Sequence, residues 1–353
     1  MIVKNNIRKQ ILKLKPYTVE NFSGNIKLDA HEHPYDLPVK LKDKILKKIK
    51  VLPFNRYPDS MATQLRCMLA KNLKVNPSQI MLGNGSDELI SYIIGLFSAN
   101  SSRVIFPSPT FSMYSIISTV YNAIPIPVLL KNNFEIDDNK ILKYTSGKNS
   151  KVIFISYPNN PTGNCFSEEK IERIISKSGC IVVLDEAYFE FSGKTFLHKL
   201  KKYPNLIILR TFSKGYGLAG LRIGYLIAKK EIVDMLLKIR LPYNLNSISQ
   251  FSAIEVLKAK HTLLPKIKEI IKERNRLYEK LSEIDGIYPF KSDANFILFR
   301  VDNSSKNIYQ KLKSKGILIK NLDDGRLLKN CLRVTVGTKN ENNTFLKTIR
   351  RIV

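Results

Sequence analysis

The chain has 353 residues, 44% of them hydrophobic and 25% charged, with a formal net charge of +28. That length exceeds what one hydrophobic core commonly holds, so two domains are expected, and the composition excludes a chain dominated by disorder. The positive excess is mostly lysine and is spread along the chain, without an arginine cluster or a helix-turn-helix pattern, so specific nucleic-acid binding is not expected. No apolar run approaches the roughly 18 residues that cross a bilayer, and Met1 to Lys15 lacks the apolar stretch of a secretory signal. Cys67, Cys165, Cys180 and Cys331 stand without metal-type or C-x-x-C spacing. A cytoplasmic protein with reduced thiols, no metal site and no membrane contact is expected.

In chain order, the first thirty residues are basic and mixed, and Pro34 and Pro38 favour an extended course after Ile26. Lys40 to Lys50 reads as an amphipathic helix with Leu41, Ile45, Leu46 and Ile49 on its apolar face. Past a loop at Arg56-Tyr57-Pro58, Ser60 to Leu73 reads as a second, turning Leu65, Met68, Leu69 and Leu73 inward. From Ile80 onward strands and helices alternate as in a mostly parallel sheet. Gly83-Asn-Gly-Ser-Asp-Glu88 is a glycine-rich turn opening a helix: either a phosphate seat at a helix N-terminus, or the same turn capped by Ser86 or Asp87.

Strands are predicted at Arg103–Phe106, Ile124–Leu130 and Val152–Ser156, the last running into Tyr157-Pro-Asn-Asn-Pro-Thr-Gly163, whose asparagines offer polar amides beyond the strand end. A helix over Ser167–Lys177 is capped by Ser167, and the buried strand Ile181–Leu184 stops at Asp185-Glu-Ala-Tyr188. A carboxylate there lies in the ligand crevice of an open α/β sheet, where Asp185 can pair with a cationic ring nitrogen or cap the next turn. Strands at Leu206–Leu209 and Ile223–Ala228 bracket Arg210-Thr-Phe-Ser-Lys-Gly-Tyr-Gly-Leu-Ala-Gly-Leu-Arg222. On this loop Lys214 is flanked by hydroxyls, by glycines that let backbone approach closely, and by Arg222. Such surroundings lower an amine's pKa and suit it to Schiff-base chemistry, the bland reading being a surface lysine in a polar turn. Beyond Ile232 helices dominate, including a long one from about Ala259 to Ile284, with strands at Asn295–Arg300 and Cys331–Val336, a helix near Lys306–Lys315 and a final helix.

The segments Asp29–Tyr35, Asn55–Asp59, Gly83–Glu88, Pro107–Tyr114, Pro158–Asn164, Asp185–Tyr188, Thr211–Gly224 and Cys331–Gly337 together resemble the class II, fold-type I aminotransferases that use pyridoxal 5'-phosphate, in family order over nearly the whole chain. Within that family the resemblance is to the branch acting on histidinol phosphate. It implies an α/β fold whose large domain (31–245) has a mostly parallel seven-stranded sheet flanked by helices. A smaller α+β domain (246–353) would follow, and the N-terminal segment (1–30) would join that domain or a dimer contact. Lys214 would hold the cofactor and shuttle a proton, Asp185 would keep the ring nitrogen protonated, and Asn160 and Tyr188 would hydrogen-bond the ring oxygen. Phe111 would stack on the ring, while Gly85, Ser86, Asp87, Thr211, Ser213 and Arg222 would seat the phosphate. Tyr57 would reach the phosphate of a neighbouring subunit, making a homodimer with active sites at the interface. Arg333, with Tyr17, Lys320 and Asn160, would bind substrate. The implied reaction moves an amino group between histidinol phosphate and 2-oxoglutarate, giving imidazole acetol phosphate and glutamate, in L-histidine biosynthesis.

Two positions depart from the family pattern. His31-Glu-His-Pro34 stands where Asn-Glu-Asn-Pro is frequent, and its imidazoles are read as satisfied surface groups in preference to residues that alter substrate fit. Lys320 stands where an arginine is usual, keeping the charge but losing the bidentate fork. Alternatives are the same cofactor acting on an aromatic or phosphorylated amino acid, including by decarboxylation, or a basic binding protein without catalysis.

Overall fold

The computed structural model describes residues 5–16, 20, 22–98, 101–147 and 149–353. A first short strand, β1 (Ile26–Lys27), precedes a seven-stranded sheet. That sheet is built from β2 (Ile80–Asn84), β3 (Arg103–Ser108), β4 (Ile124–Leu129), β5 (Ser150–Ser156), β6 (Ile181–Asp185), β7 (Leu206–Thr211) and β8 (Ile223–Ile227), in the order β2-β8-β7-β6-β5-β3-β4. The run from β4 to β7 is parallel, whereas β8 is antiparallel to both β7 and β2.

These strands read as continuous apolar runs because both faces of the sheet are covered. Alternate side chains enter opposite cores, as the two-residue period of a strand requires. Val152 and Phe154 of β5, with Val183 of β6 and Ile207 of β7, enter one core. Ile153, Ile155, Leu184 and Ile208 enter the other. Each such fully buried aliphatic side chain contributes about 1.5–3 kcal/mol relative to exposure.

Helices α1 (Val39–Ile49), α2 (Thr63–Leu73), α3 (Ser86–Phe97), α4 (Met113–Val120), α5 (Asp138–Thr145), α6 (Glu168–Lys177), α7 (Lys230–Ile239) and α8 (Ser247–Lys258) supply the cover. Helices α3, α4 and α7 pack on the first face, and α1, α2, α5, α6 and α8 contribute to the core on the second. Ser167 caps α6 as expected, accepting from the Lys170 amide. Leu46, expected inward on α1, is 49% exposed. The second predicted helix starts at Thr63, because the Asp59 carboxylate takes up the Met61 and Thr63 amides in a preceding turn.

The C-terminal part adds α9 (Lys260–Ser282), β9 (Ile287–Pro289), β10 (Phe296–Val301), α10 (Ser305–Ser314), β11 (Ile317–Leu318), β12 (Lys320–Asn321), β13 (Cys331–Thr335) and α11 (Lys339–Ile349). Its antiparallel sheet runs β12-β13-β10-β9, and β1 pairs in parallel with β11. A third core fills the space between this sheet and its helices, taking in Leu28 from the N-terminal segment. Ala253, Ile254, Val256 and Leu257 of α8 join the core on the second face of the large sheet. On that ground we propose a domain boundary at the start of α9, later than residue 246.

Candidate active site

The site gathers where β2, β5, β6 and β7 end, at one edge of the large sheet. After β2, Gly85 turns the chain at φ +81° into α3, which has no side-chain cap at its N-terminus. Neither Ser86 nor Asp87 caps that helix, so its leading amides, with the positive end of the helix dipole, face a cavity. The turn is tight. A Cβ at Gly85 would fall 2.4 Å from Nη2 of Arg222, and one at Gly224 would fall 2.4 Å from the Ser86 amide nitrogen.

From β7, Thr211 Oγ1 donates to Ser213 Oγ at 3.0 Å, and Arg222 approaches the same group, Nη1 to Ser213 Oγ 3.5 Å and Nη2 to Asp87 Oδ2 2.8 Å. Lys214 Nζ donates to the Ala30 carbonyl at 2.9 Å. Burial lowers its pKa to about 8, with Arg333 the leading charge that adds to the effect and Arg222 a lesser one. The second cation expected near Lys214 is therefore supplied mainly by the C-terminal sheet.

Asp185, 4% exposed at the end of β6, has its carboxyl pushed up to about 6 by burial. Hydrogen bonds partly oppose that shift: Tyr114 donates to Oδ2 at 2.8 Å and the Ala187 amide to Oδ1 at 3.2 Å. The adjoining turn is anchored by Glu186, whose Oε2 takes Nε and Nη2 of the buried Arg210 at 3.0 and 2.8 Å, with the guanidinium 3.7 Å over the Phe189 ring. Arg333 of β13 reaches the same space from the small sheet, donating to Asn160 Oδ1 at 2.5 Å and to the Asp29 carbonyl at 3.0 Å. Directly opposite it in the β12–β13 register is Lys320.

One cavity is thus lined by Lys214, Asp185, Tyr188, Asn160, Phe111 and Arg333, and also by Ser86, Asp87, Thr211, Ser213, Arg222 and Lys320. Gly85 does not line it, but lies against the guanidinium of Arg222, which does. Tyr57 does not line it: it is 80% exposed and stacked on Tyr243 at 4.4 Å. Tyr17 lies outside the described residues. Sequence reasoning gave no role to Tyr114, Asp29 or Glu20, of which the last two line the cavity. Glu20 accepts hydrogen bonds from Tyr309 and Lys313, partners far along the chain that no local pattern announces. His31 corrects an expectation. It is no surface imidazole but is 3% exposed in the cavity wall, with Nδ1 2.7 Å from the Tyr188 hydroxyl.

A partly buried amine, a buried carboxylate and a helix N-terminus without a side-chain cap meet at one sheet edge, an arrangement suited to exchange between amines and carbonyl compounds beside a phosphate group. The chain belongs to the aminotransferase class I and II family, which it matches over residues 20–349. It is 42% identical over 347 residues, 98% of each chain, to the histidinol-phosphate aminotransferase of Pyrococcus furiosus. The crystal structure of the histidinol-phosphate aminotransferase from Clostridium acetobutylicum, 27% identical, superposes with a TM-score of 0.84 over 93% of this chain and 99% of that one. The fold is shared as well with the Sinorhizobium meliloti histidinol-phosphate aminotransferase, solved in complex with pyridoxal-5'-phosphate, at 22% identity and a TM-score of 0.89 over 98% of this chain and 97% of that one.

Proposed function

We propose that this chain is an aminotransferase that uses pyridoxal 5'-phosphate to move the amino group of histidinol phosphate to 2-oxoglutarate, a step of L-histidine biosynthesis. The observation that carries the reading is the convergence of the Lys214 amine, the buried Asp185 carboxylate and the uncapped α3 N-terminus in a single cavity roofed by Arg333 and Lys320. Family membership and the Pyrococcus relative support it.

The residues fit the cofactor. Asp185 is a buried carboxylate held by two hydrogen bonds, so a cation beside it offsets the cost of its burial. The phosphate would sit on the amides of Ser86 and Asp87, the hydroxyls of Thr211 and Ser213, and Arg222. Phe111 would cover one face of the ring, with Asn160 and Tyr188 at its oxygen. When bound, the cofactor supplies a carbonyl that takes up and releases the amine and a ring that stabilises negative charge at Cα. Lys214 is poised near neutral pH as a base, and would take the Cα proton of the substrate and deliver it to what was the cofactor's carbonyl carbon. Arg333 and Lys320 would hold the substrate's anionic group, and two cations of this kind serve either a phosphate or a second carboxylate.

We place two copies of the chain in the working enzyme. Val51, Phe54, Tyr57 and Leu241 are 82%, 76%, 80% and 65% exposed, and Phe54 lines one groove with the stacked Tyr57 and Tyr243, an apolar area suited to burial against a second subunit. There Tyr57 would serve the partner's phosphate seat. The four free thiols suit a reducing compartment such as the cytoplasm. The decisive experiment is the visible spectrum of the purified protein before and after histidinol phosphate is added without a keto acid. Bleaching of a yellow band is expected. A yellow band bleached only by another amine discards the substrate, and a protein that stays colourless with pyridoxal phosphate discards the catalytic reading.

A further inference from the structure

His31 joins the two sides of the cavity. The carbonyl of its neighbour Ala30 accepts the Lys214 amine at 2.9 Å, and its own Nδ1 lies 2.7 Å from the Tyr188 hydroxyl. Its backbone is in the left-handed region at φ +57°, uncommon for a residue other than glycine and one in which His is among the enriched types. That conformation is held from several directions. The His31 amide donates to Thr335 Oγ1 at 3.0 Å, Asn295 Nδ2 donates to the His31 carbonyl at 3.1 Å, and the imidazole stacks on Phe296 with centroids 4.2 Å apart and planes 20° apart. So much restraint on one side chain points to a required orientation.

Burial, with Arg333 and Lys214 nearby, drives the His31 pKa well below the usual value, so the ring is neutral and one nitrogen carries the proton. Nε2 is buried with no hydrogen-bond partner among the described residues. A proton on Nε2 would leave a buried donor unmet and make Nδ1 an acceptor that consumes the Tyr188 O–H. A proton on Nδ1 leaves Nε2 an unmet acceptor, more readily tolerated than an unmet N–H, and turns the other bond round: the Tyr188 oxygen accepts, and its own hydrogen is released toward the cavity.

We propose that His31 is a positioning residue whose Nδ1–H fixes the Tyr188 hydroxyl as a hydrogen-bond donor aimed at the anionic ring oxygen of pyridoxal phosphate. The inference rests on the reading of this cavity as the cofactor site. Asparagine is the natural substitute, because its amide nitrogen, like Nδ1, is one bond beyond Cγ and can donate to the same oxygen.

The test measures the dissociation constant of pyridoxal phosphate and the visible absorption maximum for the wild type, His31→Phe, His31→Asn, Tyr188→Phe and the His31→Phe/Tyr188→Phe double variant. His31→Phe keeps an aromatic ring against Phe296 and is expected to weaken binding about tenfold, the worth of one hydrogen bond, and to shift the band. Tyr188→Phe should do the same, and the double variant should be no worse than either single one. His31→Asn should recover affinity to within about threefold of the wild type. Additive losses, an unaltered His31→Phe, or a His31→Asn as impaired as His31→Phe would overturn the proposal. A wild type that takes up no pyridoxal phosphate would overturn the cofactor reading itself. Should His31→Phe not fold, the 15N spectrum of histidine-labelled wild-type protein reads the tautomer directly: a proton on Nδ1 is expected, and one on Nε2 refutes the assignment.

Discussion

The hydroxyl of Tyr114 donates to Oδ2 of Asp185 at 2.8 Å, from a ring on α4 that is fully buried and stacked on Phe154 at 4.8 Å. The bond favours the ionised carboxylate, the form that would pair with a cationic ring nitrogen, against the burial that opposes it. Tyr114→Phe removes only the hydroxyl. Its kcat is expected to fall about tenfold, the worth of one hydrogen bond to a charged group, with little change in KM for histidinol phosphate. Steady-state kinetics decide it, and an unchanged kcat would mean that the bond contributes nothing to the Asp185 charge state.

The same carboxylate makes the cofactor-free protein pH-sensitive. Asp185 titrates near 6 when folded, against the ordinary 3.8, so the folded chain holds this proton more tightly and stability falls as pH rises from about 4 to about 6. Lys214 titrates near 8, against 10.5, so the folded chain holds that proton less tightly and stability is regained as pH rises from about 8 toward 10.5. Each limb is expected to span on the order of 3 kcal/mol. Urea unfolding of the apo-protein across this range, with Asp185→Asn and Lys214→Met as comparisons, should show each variant lacking its own limb.

Gly85 is conformationally and sterically committed, at φ +81° with Arg222 Nη2 where a Cβ would go. Gly85→Ala is expected to displace the guanidinium and weaken pyridoxal phosphate binding by about tenfold or more. Binding of pyridoxal, which has no phosphate, should change little. Equal losses for both ligands would place the damage elsewhere than the phosphate seat.

Lys320 faces Arg333 across the β12–β13 pair. Lysine presents a point charge where a guanidinium presents a planar fork, so Lys320→Arg is expected to lower KM for histidinol phosphate by about threefold to tenfold. A KM that is unchanged or raised contradicts a role for this position in phosphate binding.

If Tyr57 serves its partner's site, two crippled chains can complement one another. Lys214→Ala and Tyr57→Ala, each inactive or nearly so alone, should recover about a quarter of wild-type activity when unfolded together and refolded in equal amounts. About half of the random dimers are then mixed, each with one complete site. No recovery, with dimers formed, would confine Tyr57 to its own subunit.

Much of this arrangement was legible in the chain itself. The apolar runs of β5, β6 and β7 end where polar residues begin, and in a sheet covered on both faces those ends mark the ligand edge, which is why Asn160, Asp185 and Lys214 could be grouped before any geometry was known. The glycine-rich turn at Gly85 was equally local, since a left-handed residue ahead of a helix needs no distant partner. Other features depended on contacts between distant segments. A hydrophobic run has no direction written into it, so the antiparallel course of β8 emerged only from its pairing with β7 and β2. His31 looked like a surface imidazole until Phe296, Asn295 and Thr335 closed around it. Tyr114 acquired a role only when α4 packed beneath Asp185, and the leading cation beside Lys214 proved to be Arg333 of the C-terminal sheet, ahead of the sequence neighbour Arg222. Residue types and strand ends determined the chemistry available. The packing of the C-terminal sheet and the N-terminal segment against that edge decided the charge states, because burial and neighbouring charge are properties of three-dimensional proximity.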